Sequence, residues 1–136
     1  MKVYFDSSAL IKRVILEPES AALVREIRAH VEVGDLLCTS ELGVVEVTRS
    51  IRSRKQSENP ASWSVLSETA LSGVNTLDLD EPTLSLARRI GPGTLRTLDA
   101  MHLATAVLLD ADLIISYDSL MLQVAEEFGF TTKDPR

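Results

Sequence analysis

Four carboxylates in this chain stand where an acid could do chemistry: Asp6, Glu46, Asp99 and Asp118. Asp6 ends the apolar run Val3-Tyr4-Phe5 and precedes Ser7 and Ser8. An acid where a buried strand meets a helix N-terminus lies where α/β sheets gather their ligands. Asp118 follows Leu113-Ile114-Ile115-Ser116 in the same manner, with hydroxyls at Ser116 and Ser119. Asp99 falls in the first turn of a helix that is apolar almost all round, through Leu98, Met101, Leu103, Ala104, Ala106, Val107 and Leu108. Such a helix should be buried, and a buried carboxylate needs a partner or a cation. Glu46 stands among Leu42, Val44, Val45 and Val47, and helical spacing puts it on one face with Leu42 and Arg49.

Brought together, four acids would repel one another and some would stay protonated. A hard divalent cation removes that conflict, and Mg²⁺ or Mn²⁺ prefers carboxylate and water oxygens. Such a centre acidifies water and stabilises the charge of a phosphodiester under in-line attack. The chemistry to expect is metal-dependent phosphodiester hydrolysis. Each acid also has an ordinary reading. Asp6 and Asp99 suit a helix N-terminus on dipole grounds alone, Asp118 suits a turn, and Glu46 could pair with Arg49 or Ser50. His102, three residues after Asp99, could flank the site, but no second histidine or cysteine completes a zinc set. It reads more simply as a partly buried helix residue making one hydrogen bond, and His30 as a surface residue. Trp63, the only tryptophan, reads as the anchor of a helix pair. Arg49, Arg52, Arg54 and Lys55 form the one dense basic stretch. This suits a solvated helix end, although Arg49, sharing a face with Glu46, is a candidate phosphate contact.

The elements that must position these residues are legible. Strands are expected at Val3–Phe5, Leu36–Thr39, Val74–Leu79, Leu113–Ser116 and Phe130–Thr132. Helices are expected at Ala9–Val14 (capped by Ser7 or Ser8), Glu19–Val33, Glu41–Lys55 behind Ser40, and Asn59–Leu71. Others follow at Asp80–Ile90, Leu98–Leu109 behind Thr97, and Ser119–Phe128 before Gly129. Strands separated by helices indicate a parallel sheet covered on both faces, a three-layer α/β/α domain. At 136 residues, without repeat or linker, the whole of 1–136 reads as a single domain. The single cysteine, Cys38, excludes an internal disulfide and reads as a small buried residue. No apolar run is long enough to span a bilayer and no leader precedes the first strand, so a cytoplasmic location is expected. The net charge of −6 argues against holding nucleic acid by general attraction. It leaves room for a nuclease whose acids are neutralised by metal, or for a basic partner.

In order along the chain, these residues resemble the motifs of the PIN-domain family, and within it the VapC-type toxins of bacterial toxin–antitoxin pairs. Val3-Tyr4-Phe5-Asp6-Ser7-Ser8-Ala9-Leu10 resembles the opening motif, and Ser40-Glu41-Leu42 with Glu46 resembles the second. Leu98-Asp99-Ala100-Met101-His102-Leu103-Ala104-Thr105-Ala106 resembles the third, and Ile115-Ser116-Tyr117-Asp118 with Leu120, Ala125 and Gly129 the last. The resemblance implies a PIN-like fold with a central parallel sheet of about five strands. It implies a Mg²⁺- or Mn²⁺-dependent endoribonuclease acting on structured RNA, a homodimer, and a cognate VapB-type antitoxin as partner. It implies Asp6 and Asp99 as the main metal ligands, with Glu46 and Asp118 completing the acidic site, and Ser7, Ser8 and Ser116 as supporting hydroxyls. Competing readings are a non-toxin nuclease of the same fold, a non-catalytic binding domain, and a receiver-like Mg²⁺-binding signalling domain using Lys133 and Ser116. A receiver wants two adjacent acids after its first strand, whereas Asp6 has Phe5 and Ser7 beside it.

Overall fold

The computed structural model describes residues 1–136. Five strands, β1 (Lys2–Phe5), β2 (Leu36–Ser40), β3 (Asn75–Leu77), β4 (Leu113–Ile115) and β5 (Thr131–Lys133), form one all-parallel sheet in the order β3-β2-β1-β4-β5. Seven helices connect them: α1 (Ser7–Ile11), α2 (Ser20–Val33), α3 (Glu41–Arg54), α4 (Pro60–Leu71), α5 (Glu81–Ala87), α6 (Thr97–Leu109) and α7 (Ser119–Glu127).

The layering follows from the strand order. The chain steps from β1 outwards to β2 and β3, then returns past β1 to β4 and β5. Right-handed crossovers taken in opposite directions place their helices on opposite faces. The side chains agree, because alternate strand residues face opposite layers. Val3, Phe5, Leu37, Leu113 and Ile115 pack with residues of α1 to α4. Tyr4, Cys38 and Ile114 pack with Ala100, Leu103 and Ala106 of α6 and Met121, Val124 and Ala125 of α7. Val3, Tyr4, Phe5, Ile114 and Ile115 are fully buried, each apolar side chain contributing roughly 1.5–3 kcal/mol by leaving water. The three-layer α/β/α expectation is met.

Several local expectations shift. Asp6 caps α1 in place of either serine, its carboxylate accepting from Ala9 N–H. Thr97 is the first residue of α6 and not its cap, while Arg96 occupies the cap position without a side-chain bond. Ser40, Asn59, Asp80 and Asp118 do cap the helices that follow them. The α6 helix is less enclosed than its composition implies, with Leu98 47% and Leu108 51% exposed. His30 is buried, between Asp35 and Glu26, not on the surface. Trp63 does join two helices, its indole N–H donating to the Lys55 carbonyl at the end of α3. No helix is long and apolar enough to cross a membrane.

Candidate active site

The strand order reverses between β1 and β4, and the crevice at the carboxyl ends of the strands at such a switch point is the usual ligand site of an open α/β sheet. Asp6 leaves β1 there and Ser116 leaves β4. Asp6 is 4% exposed and accepts three hydrogen bonds. Its Oδ1 takes the Ala9 N–H (3.2 Å) and the Ser8 hydroxyl (2.6 Å), and its Oδ2 takes the Ser116 hydroxyl (2.5 Å). The helix cap and the buried acid are therefore one group. Ser8 Oγ also accepts from Tyr117 N–H and Ser116 Oγ from Asp118 N–H, both at 3.0 Å. Two hydroxyls thus tie the end of β1 to the turn after β4. Ser7 opens α1, and its hydroxyl bonds to none of these acids. Burial pushes the Asp6 carboxyl up, against the opposing pull of His102 and of these donors.

Asp99 sits in the first turn of α6 with Oδ2 buried and without any hydrogen-bond partner. Burial first, then the negative charges of Asp118 and Asp6, push its carboxyl up to about 6. Those couplings mark Asp6, Asp99 and Asp118 as one electrostatic neighbourhood. Asp118 caps α7 through Oδ1, which accepts from Met121 N–H at 2.9 Å.

Glu46, on α3, comes from the opposite helical layer. It pairs with neither Arg49 nor Ser50; its Oε1 lies 2.5 Å from His102 Nε2 on α6. His102 Nδ1 in turn meets the Tyr4 hydroxyl of β1 at 2.7 Å. His102 is therefore 1% exposed with two partners, where one partner and partial burial were expected. A positive charge on this ring would favour the ionised forms of Asp6 and Asp99, so Glu46 joins the other acids through this imidazole. Sequence reasoning left Tyr4 out of the site and offered His102 only as a possible flank. Two signals pointed to them: the lone hydroxyl in an otherwise apolar strand, and a histidine one helical turn past Asp99.

Arg49 is exposed on α3, one turn beyond Glu46, and lines a groove with Arg52, Ser53 and Gln56. Lys133 is bonded to Glu26 on α2 at 2.6 Å, so no receiver-like pairing of that lysine with Asp6 is assembled.

As they stand, no three His, Cys, Asp or Glu side chains are disposed to hold a metal ion. The donor chemistry nevertheless suits one. The gathered groups are carboxylates, hard oxygen donors, and the orphaned Asp99 Oδ2 is a buried acceptor that nothing in the protein satisfies.

Residues 3–127 match the PIN domain family model. Ribonuclease VapC47 of Mycobacterium tuberculosis is 38% identical over 135 residues, covering 98% of this chain and 96% of that protein. Among solved structures, VapBC2 from Rickettsia felis, bound to a DNA fragment from its promoter, superposes with a TM-score of 0.75 at 8% identity over 100% of both chains. Mycobacterium tuberculosis VapC20, a sarcin-ricin loop cleaving toxin, superposes with a TM-score of 0.73 at 12% identity, covering 95% of this chain and 96% of that one. The chain belongs to the PIN-domain family, and its whole-length relatives are VapC ribonucleases.

Proposed function

We propose that the chain is a divalent-metal-dependent endoribonuclease, the toxin of a VapBC-type pair, with Asp6, Glu46, Asp99 and Asp118 as its acidic centre. The observation that carries this reading is the buried, unpartnered Asp99 oxygen beside two further carboxylates. An enzyme that only needed a stable core would not keep it. Asp6 and Asp99 are the groups that would hold Mg²⁺ or Mn²⁺, with Asp118 beside them. When bound, the cation offsets the clustered negative charge, polarises a phosphodiester and acidifies water. The chain's own residues do the rest. Ser8 and Ser116 hold Asp6 in one orientation. Glu46, with Oε1 engaged, keeps Oε2 as the acceptor for the proton of an attacking water. Arg49, with Arg52 and Gln56 along the same groove, takes the phosphates of the RNA strand.

The wider role rests on the family. VapC relatives are named ribonucleases, and the Rickettsia felis and Haemophilus influenzae structural neighbours are VapBC assemblies. A basic antitoxin segment would be complementary to a chain of net charge −6.

The test is cleavage of a structured RNA by the purified chain with Mg²⁺ or Mn²⁺. Asp6→Asn and Asp99→Asn abolish cleavage while circular dichroism and the melting transition persist, and a chelator abolishes it in the parent. Parental rates in either variant would overturn the assignment.

A further inference from the structure

Glu46 is 25% exposed on a helix surface, where a glutamate ordinarily has several rotamers open to it. Here one of its oxygens is fastened across the domain to a residue 56 positions away. We propose that His102, itself oriented by Tyr4, is a positioning residue that fixes Glu46 within the acidic centre. This deepens the functional reading above and rests on it.

The direction of the hydrogen bonds follows from the groups. An ionised carboxylate only accepts, so the hydrogen between Glu46 and His102 belongs to Nε2 whichever protonation state the ring adopts. The Tyr4 hydroxyl engages the other ring nitrogen. With both nitrogens committed, turning the ring over breaks two contacts at once. Packing holds it as well. Tyr4 is fully buried and meets the imidazole edge-on, with ring centroids 5.9 Å apart and planes at 66°.

The backbone is shaped around the same contact. One turn before Glu46, a Cβ on Gly43 would lie 2.2 Å from Thr39 Oγ1 and 3.5 Å from His102 Cε1. The approach to the Thr39 hydroxyl admits only glycine here, while the imidazole beside it would be in ordinary contact with a Cβ. A histidine kept merely to fill the core could be satisfied by backbone groups or by water. This one spends its inner nitrogen on a phenol and its outer nitrogen on an acid of the site. With Oε1 held, Oε2 takes no hydrogen bond from the protein and is left for the chemistry. Outer partners that orient acidic ligands in this way commonly matter by about 10- to 100-fold.

The experiment has two readouts. The chain has two histidines, so the side-chain ¹⁵N spectrum of the metal-free protein resolves His102 from His30. A protonated Nε2 is expected, with its signal shifted in Glu46→Gln and the Nδ1 signal shifted in Tyr4→Phe; an unprotonated Nε2 overturns the proposal. In RNA cleavage, Tyr4→Phe and His102→Leu lower kcat by about 10- to 100-fold with KM unchanged. His102→Gln, whose amide can donate near the Nε2 position, recovers most of the loss. Parental kcat in both Tyr4→Phe and His102→Leu, with Glu46→Gln impaired, overturns the proposal. Should His102→Leu not fold, Tyr4→Phe decides, since it removes a single oxygen. Parental cleavage by Asp6→Asn and Asp99→Asn would instead overturn the acidic-centre reading itself, while the ¹⁵N signals still report whether Glu46 is held.

Discussion

Asp6 and Asp99 differ in how their charge is answered: three donors surround the first, and none reaches Oδ2 of the second. Burial and the neighbouring acids lift the Asp99 carboxyl to about 6, from 3.8 for a free aspartate. A raised folded value means that protonation favours the fold. The stabilisation is complete below the free value and is lost as pH rises through about 6. The metal-free protein therefore gains stability at this residue on acidification from about pH 8 to about pH 5. A divalent cation does the opposite, relieving the repulsion only where the carboxyls are ionised. Thermal melts should show Mg²⁺ raising Tm more at the higher pH, and Asp99→Asn should shrink both effects. Equal Mg²⁺ increments at the two pH values would contradict this. All four acids could be picked from the sequence, because each sits at a strand end or in an apolar stretch where a charge is conspicuous. Their partners could not. Nothing local to Glu46 announces that His102 is its acceptor's donor, since that contact exists only after two helical layers close on the sheet.

At the level of elements, the approach of α3 to β2 and α6 is set by one missing side chain. Gly43→Ala forces a contact against Thr39 Oγ1 that no real Cβ tolerates. Overpacking of this kind costs about 1–3 kcal/mol, and moving α3 outwards also stretches the Glu46–His102 bond. The expected result is a lowered denaturant midpoint together with a reduced kcat. A double change that also truncates Thr39 to alanine should restore part of the stability. Element order and type were readable because apolar runs and turn residues alternate cleanly. The cap at Ser40 followed from side-chain chemistry alone, while Asn59 and Asp80, expected only as the starts of their helices, prove to cap them as well. The first cap was misassigned because Ser7, Ser8 and Asp6 can all satisfy an open N–H, and only the register of α1 decides among them. Thr97 was misassigned for a related reason: the chain enters helix one residue earlier, so its hydroxyl falls inside the first turn.

For the whole molecule, a net charge of −6 leaves little long-range attraction for RNA. If Arg49 and Arg52 are the phosphate contacts, log KM should rise with log salt at a slope of about 1.4, two contacts at about 0.7 each for a single strand. Arg49→Ala with Arg52→Ala should flatten that slope and leave kcat alone, whereas a much steeper parental slope would mean that other cations carry the strand. The crossing of the chain past β1 has a consequence in time as well as in space. Asp6 and Glu46 ride with the strands and helices made first; Asp99, His102, Ser116 and Asp118 come with those made last. A chain still emerging from the ribosome holds half of its acids with nothing to complete them. Nor can the early half preassemble the centre, because one of the two hydroxyls that clasp Asp6, that of Ser116, lies just past a strand not yet translated. On the reading proposed above, the acidic centre therefore forms only after Asp99 and the Ser116–Asp118 turn have been made, however early β1 and α3 are in place.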